Sequence, residues 1–416
     1  MPLKIIVVGA GIAGLTSAIA LRQAGHEVSV FERSQFATEV GAALIISPNG
    51  ARVLNHLNFS FQNARAVTMD RWSVLHGELL VQLANVDMSA AEARFGAGAY
   101  AIHRVDLHTE LLRLASSTEI SGTPVKIHLS SEIVAAETEG TIVLKDGTRH
   151  TADLVVAADG LKSVLKGVVT EESTPPTPTG LSAFRFLINT SVLEEDENLK
   201  GTLEKKGSGA TLLADIKETE KERHMMWYAC RGGEVQNFVG IHPSRDVDGD
   251  DPEAVKKSML DEFSHFSPGI LDIVRKSSAV KCWPLFSHKP LSNWYNGRIV
   301  LIGDAAHPML PFGGQGANAA IEDGGSLGYL FKDIADASTI PEKLSLFQKA
   351  RQSRASRVQI LSSVRAGKEK EVEEKLQHYS DPPGSKVPTN MMERTGHDYG
   401  FNVYKKCDEV LAAAQS

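Results

Sequence analysis

The strongest constraint on this chain lies in its first turn of structure, "KIIVVGAGIAGLTSAIALRQAGHEVSVFER", residues 4–33. An apolar run from Ile5 to Val8 reads as a buried strand, and it ends in glycines at Gly9, Gly11 and Gly14. In a strand–turn–helix of this spacing the first glycine permits the tight turn, the second lets backbone approach a pyrophosphate, and the third lets the helix pack closely on the strand. The helix expected from near Gly11 buries Ile12, Ala13, Leu15, Ile19 and Ala20, and Gly25 is placed to end it before Val28 and Val30 resume as strand. Its partly positive N-terminal end faces the phosphates. Glu32 stands eighteen positions after Gly14, the place of an acidic side chain that accepts hydrogen bonds from an adenosine ribose, with Arg33 beside it. A dinucleotide-binding βαβ unit is therefore expected, but this unit alone does not separate NAD from FAD.

A second region makes that choice. In "NGRIVLIGDAAHPMLPFGGQGANAAIEDGGSLGYL", residues 296–330, another apolar strand runs into Gly303-Asp304, and a glycine-rich turn then opens a helix at Gly316-Ala317-Asn318. A single NAD site has no need of a distant strand that delivers an aspartate and a helix N-terminus; a flavin does. Free N–H groups at such a helix start suit the negative charge that reduced flavin carries near N1 and its C2 carbonyl. A third strand, Leu154 to Ala158, ends in Asp159-Gly160. "EVGAALIISPNGARVL" offers small residues, Gly41, Ala42 and Ala43, for close backbone approach, and "HRVDLHTELL" sets Arg104 at the start of an apolar-faced helix.

These three motifs together resemble the class A FAD-dependent aromatic monooxygenases of the p-hydroxybenzoate hydroxylase type, and most of all the fungal salicylate hydroxylase-like enzymes. The resemblance spans both ends and the middle of the chain, with the late segment its most specific part. It implies an α/β fold: a Rossmann-like FAD-binding domain of the glutathione reductase type, an inserted β-sheet substrate domain and a C-terminal helical segment. The FAD-binding parts are expected at 1–70, 101–175 and 281–335, the substrate parts at 71–100 and 176–280, and the helical region at 336–416. It further implies FAD held by Gly9, Gly11, Ala13, Gly14, Glu32, Arg33, Gly41, Ala43, Arg104, Asp159, Asp304, Gly316, Ala317 and Asn318. The resemblance implies NADH or NADPH as a transient co-substrate, and the passage of one oxygen atom of O2 by way of a flavin C4a-hydroperoxide to an aromatic or otherwise electron-rich small molecule. Where the family often carries Arg after the mid-chain motif, this chain has Lys162 and Lys166, a point charge in place of a bidentate fork.

"STPPTPTG", residues 173–180, reads as a linker, and "LSAFRFLINT", "ATLLADI", "HMMWYACRGG" and "NFVGIHP" read as strands of a substrate-covering sheet. Alternation in "LSAFRFL" sets Ala183, Arg185 and Leu187 on one face against Phe184, Phe186 and Ile188. The resemblance makes Arg185 the leading active-site residue, for an acidic or phenolic substrate; the same alternation in "MMWYACR" sets Met226, Tyr228 and Cys230 together, so Tyr228 is a second candidate, to hydrogen-bond a substrate hydroxyl or to pack. His307 is expected to be satisfied by local backbone, Trp283 and Trp294 to be core, "KETEKERH" a solvated hairpin tip, and "RQSRASRVQILSSVRAGKEKEVEEKLQ" a packed but mostly solvated helix.

A net charge of −7 without a basic block speaks against a nucleic-acid partner, and three scattered cysteines speak against a disulfide framework or a metal site. No signal peptide and no apolar run of the ~18–20 residues of a spanning helix is read, so a cytoplasmic monomer or homodimer is expected. An FAD oxidase or dehydrogenase, or an inert flavin-binding module, stays open as an alternative.

Overall fold

The computed structural model describes residues 2–35, 42–171, 175–245, 251–334 and 336–415; Gly41 lies outside them. Strand Lys4–Val8 pairs in parallel with Glu27–Phe31 on one side and Leu154–Ala157 on the other, and Leu154–Ala157 pairs in parallel with Ile299–Leu301. Lys126–His128 and the antiparallel Tyr295–Asn296 complete a six-stranded sheet. Its central strands are near-continuous Ile, Val and Leu because helices cover both faces, the condition under which parallel sheets are stable. Ligands bind such a sheet beyond the carboxyl ends of its strands. Here those ends carry Gly9, Glu32, Asp159 and Gly303-Asp304, so residues almost three hundred positions apart meet along one edge.

Helices Ile12–Gln23 and Gly316–Leu330 cross at close range above this edge. A Cβ at Gly324 would stand 2.7 Å from the Ser17 backbone nitrogen, and one at Gly328 would stand 2.5 Å from the Ala20 Cβ. Only hydrogen at those positions lets the two axes approach so closely. Gly303, with φ +58°, likewise leaves room for Ala13, whose methyl is 2.8 Å from where its Cβ would be.

A seven-stranded sheet runs in the order Lys281–Ser287, Thr177–Asn189, Val235–Pro243, His224–Cys230, Ala210–Ala214, Arg71–His76, Gln82–Asp87. Three helices, Glu197–Lys206, Pro252–Glu262 and Pro268–Lys276, back it with Leu199, Met259, Phe263, Ile270 and Ile273 against Phe184, Phe186, Trp227 and Phe238. This is the alternation read from the sequence: one face of Thr177–Asn189 is core, and Ala183, Arg185 and Leu187 turn the other way, into a cavity.

Several expectations need correction. The proline-rich segment is strand from Thr177 onward: Pro178 sits opposite Phe286 next to an irregularity that precedes Ser182, and proline within sheets is found at such irregularities. The hairpin tip is not simply solvated, because Arg223 is 5% exposed and held by Asp215, Glu218 and Glu262 at 2.6–2.9 Å. Helix Ile340–Leu361 is also not a solvated helix: Arg351, Arg354 and Arg357 are all buried. Among the described residues no helix is long and apolar enough to cross a membrane.

Candidate active site

The adenylate end is built by the first βαβ unit. Gly9 takes φ +96°, and a Cβ there would lie 2.5 Å from the Ala158 carbonyl oxygen. At Gly14 it would lie 1.9 Å from the Gly9 carbonyl oxygen, whereas at Gly11 nothing stands within 4 Å. Packing thus forces glycine at positions 9 and 14, while Gly11 borders open cleft. Glu32 accepts from the Ala10 N–H at 2.9 Å and the Ser34 N–H at 2.8 Å, while His108 Nε2 donates to the Ala10 carbonyl at 2.8 Å. Arg33 is exposed at the strand end. Asp159 closes its own turn, accepting from Val164 and Leu165 N–H groups at 2.8 and 3.2 Å through Oδ2. Its other oxygen is buried without a partner among the described residues.

The other end is built where helix Gly316–Leu330 begins. No side chain caps that helix, so its first N–H groups stay available. Gly314, with φ +64°, has nothing within 4 Å of a Cβ, and Gly316 has only Met309 at 4.0 Å. The Asn318 side chain does not face the cleft. Its Oδ1 accepts from Ser47 N–H at 2.9 Å and its Nδ2 donates to the carbonyls of Ile45 and Gly314 at 3.0 Å each, lacing the helix start to the Ser47–Gly50 turn. A Cβ at Gly50 would collide with Asn318 Oδ1 at 2.3 Å. Asn49 extends the lacing, donating to Gln315 and Glu322 at 3.0 and 2.7 Å. Sequence reasoning does not single out Asn49 or Gln315, although both flank glycines of the quoted motifs.

Asp304 is exposed, yet the protein around it is dense enough that burial pushes its carboxyl up, only partly offset by the positive fields of His307, Arg104 and His288. His307 is not satisfied by local backbone. It meets Asp323 Oδ2 at 2.6 Å, and the same oxygen accepts from the Gly303 N–H at 2.9 Å, so Asp323 holds the turn that presents Asp304. Behind Asp323, Arg351 reaches it through Nε at 2.8 Å and approaches Glu322 at 2.6 Å; the second contact is ionic, without hydrogen-bond alignment. Arg354 adds a 3.2 Å contact to Glu322. Nothing in the sequence assigns these cations to the site.

Together the open glycine cradles, the unpaired Asp159 oxygen, Asp304 and the uncapped helix start fit an elongated dinucleotide with a ring that gathers negative charge, which is FAD. Between this cleft and the seven-stranded sheet lies a cavity of about 470 Å³ lined by Ala42, Arg104, Arg185, Asn237, Lys281 and Trp283, among others. Trp283 is 42% exposed, not core, and its ring lies 5.8 Å from the Arg185 guanidinium; Trp294, as expected, is buried. Arg185 Nε and Asn237 Nδ2 are both buried with no hydrogen-bond partner among the described residues.

Tyr228 does not line this cavity. Its hydroxyl donates to the Ala43 carbonyl at 2.9 Å, so the proton expected to meet substrate is spent on joining the sheet to the flavin-binding part. Asn237 Oδ1 accepts from the Ala43 N–H at 3.2 Å, so Ala43 is gripped at both backbone groups. Tyr228→Phe is expected to cost about 1–3 kcal/mol in denaturant unfolding, because a buried carbonyl loses its donor. An unchanged midpoint would show that the hydrogen bond contributes nothing.

A family model described as "FAD binding domain" matches residues 3–361. The chain is 33% identical over 394 residues to the FAD-dependent monooxygenase phomE' of Diaporthe leptostromiformis, covering 93% of this chain and 98% of that one. It is 31% identical to hispidin-3-hydroxylase of Neonothopanus nambi, covering 85% of this chain and 86% of the relative. A salicylate hydroxylase solved as a substrate complex shares the fold with a TM-score of 0.75 at 24% identity, covering 98% of each chain. With the cradle, the cavity and these relatives in view, the chain belongs to the FAD binding domain family and is an FAD-dependent monooxygenase.

Proposed function

We propose that this enzyme hydroxylates a small aromatic molecule bearing an acidic oxygen, a phenolate or carboxylate, held in the cavity beneath the seven-stranded sheet. The observation that carries this reading is the charge of the cavity. Arg104, Arg185 and Lys281 line it with no carboxylate among the lining residues, and two buried donors, Arg185 Nε and Asn237 Nδ2, lack an acceptor. Burial lowers the Arg185 pKa from its ordinary value and proximity to Arg104 adds to this, so an anion in the cavity would relieve both effects. The names of the relatives, one for hispidin and one for salicylate, are in keeping with a small-molecule substrate.

When bound, FAD supplies the passage of reducing equivalents from NAD(P)H to dioxygen and the transfer of one oxygen atom to the substrate. The chain's own residues bind and orient. In this reading Gly9, Gly11, Ala13, Gly14, Glu32 and Arg33 serve the adenylate end, Asp159 holds its own turn near the pyrophosphate, and Asp304 serves the ribityl chain. Ala43 and Arg104 lie at the ring, and the backbone of Gly316, Ala317 and Asn318 sets a positive helix end against its electron-rich side. Arg185 and Asn237 fix the substrate oxygen, while Leu187, Leu285 and Trp283 provide apolar wall that excludes water. Tyr228 acts as a positioning residue through Ala43.

The test is NAD(P)H oxidation and oxygen uptake by FAD-loaded enzyme across phenols, salicylate and indoles. Acidic phenols and salicylate are expected to stimulate both, and uncharged indoles to do so weakly. Arg185→Met, which keeps length and removes charge, is expected to lower kcat/KM for acidic substrates by about 10- to 100-fold, from the loss of one charge-assisted hydrogen bond. Equal stimulation by indole, or an unaffected Arg185→Met enzyme, would defeat the reading.

A further inference from the structure

A second cavity, of about 590 Å³, lies away from the one just described, between the middle of helix Pro48–His56, helix Ala91–Phe95 and the C-terminal helices. Five cations line it, Arg52, Arg94, Arg357, Lys405 and Lys406, against two carboxylates, Asp381 and Glu409. Both carboxylates are taken by one lysine: Lys406 Nζ is 2.8 Å from Asp381 and 3.3 Å from Glu409. Among the described residues the other four cations have no carboxylate within 4 Å. Arg52 donates to the Phe401 carbonyl at 2.6 Å and to the Phe95 carbonyl; Arg94 lies 4.9 Å from the centre of the Phe95 ring. Arg357 donates through Nε to His397 at 3.1 Å and through Nη1 to the Tyr379 carbonyl.

In a chain of net charge −7, four cations around one hollow without a carboxylate in contact make a local excess of positive charge. Arg357 at its floor is 8% exposed, and burial above all, with repulsion from Arg354, brings its pKa down to about 10 against the opposing fields of Asp381 and Asp398. The volume is that of a site for a small molecule and not for a protein surface. We propose that this basic cavity is a binding site for a small polyanion of the phosphate class, its oxygens bridging Arg94 and Lys405 at the rim and Arg357 at the floor. Guanidinium forks and ammonium groups at one opening are the donor set that phosphate oxygens use. The floor is wired to the flavin cleft: His397 bonds Arg357 and Arg354, Arg354 bonds Glu322, and Asn49 joins Glu322 to Gln315 at the start of helix Gly316–Leu330.

The shared chemistry has two sources, inorganic phosphates and nucleotides, which two probes distinguish. Calorimetric titration of FAD-loaded enzyme at low salt with inorganic pyrophosphate is expected to give saturable one-site binding. In Arg94→Gln/Lys405→Gln the affinity is expected to fall about tenfold or more, given the strength of charge-assisted bonds. Both side chains are exposed, so flavin content and circular dichroism are expected to stay as in the parent enzyme. ADP binding more tightly than pyrophosphate, with the same loss in the variant, supports a nucleotide as the occupant; equal or weaker binding supports the inorganic ion. Absence of binding by pyrophosphate and ADP alike in the parent, or undiminished binding in the folded variant, overturns the proposal.

Discussion

Gly14→Ala is expected to yield protein that emerges colourless and stays so after incubation with FAD. The added Cβ would sit 1.9 Å from the Gly9 carbonyl oxygen and 3.3 Å from Val7 Cγ1, atoms of a buried strand and turn that have nowhere to go. Relief requires helix Ile12–Gln23 to lift off the sheet, which withdraws its N-terminus from the phosphates and breaks its crossing with helix Gly316–Leu330. Gly11→Ala makes the contrast. Nothing lies within 4 Å of its Cβ, so the chain is expected to fold normally, with FAD affinity lowered only because the methyl projects where the cofactor's phosphates approach. Visible flavin absorbance and far-ultraviolet circular dichroism read both variants. A yellow, stable Gly14→Ala protein would refute the packing argument, and a Gly11→Ala protein that misfolds would refute its counterpart.

Arg351→Met is expected to be the most damaging substitution far from any ligand. Arg351 is fully buried and answers two fully buried carboxylates, Glu322 and Asp323, while also donating to the Ala319 carbonyl at 3.2 Å. Removing the one partner shared by both buried carboxylates leaves Glu322 to Arg354 and Asp323 to His307 alone, at about 3–5 kcal/mol, a large share of the roughly 5–15 kcal/mol by which domains are stable. Loss of the soluble protein, or a denaturation midpoint lowered accordingly, is the expected result; a shift within about 0.5 kcal/mol would contradict it. The same cluster sets an acid limit. Burial alone would raise the Glu322 and Asp323 pKa values, but Arg354 and Arg351 for the first, and His307 and Arg351 for the second, more than offset it and hold both below the ordinary carboxylate value. Stability from these groups is therefore complete above the unfolded carboxylate range of about 4 and is lost as pH falls through the lowered folded values. A melting temperature that does not fall below pH 4 would contradict that account.

What the sequence discloses follows a physical rule. The turn at Gly9, Gly11 and Gly14, the helix start at Gly316 and the strand ends at Asp159 and Asp304 are local events, governed by residues within a few positions, and periodicity exposes them. The alternation that puts Arg185 on the cavity side is local too. Arg351 and Arg354 escape such reasoning because a helix of mixed charge has the same composition whether it meets water or buried acids, and their partners Glu322 and Asp323 lie about thirty positions earlier. Trp283 reads as core because nothing in the strand Lys281–Ser287 says which side holds a void. Tyr228 reads toward substrate for the related reason that its acceptor, Ala43, comes from another sheet. Gly324 and Gly328 are poor helix formers by propensity, and only the neighbouring helix explains them.

Ala43 ties the large sheet to the strand Ala43–Ile46 through its own backbone. Through one peptide unit on each side it is clasped by Asn237 and Tyr228 of the large sheet, and the next residue back, Ala42, takes the N–H of Arg104. The large sheet and the strand Ala43–Ile46 are therefore joined at this residue, alongside the Arg231–Asp106 and Arg65–Glu234 ion pairs. Asn237 lines the cavity as well, so one side chain both faces its interior and holds the backbone of Ala43.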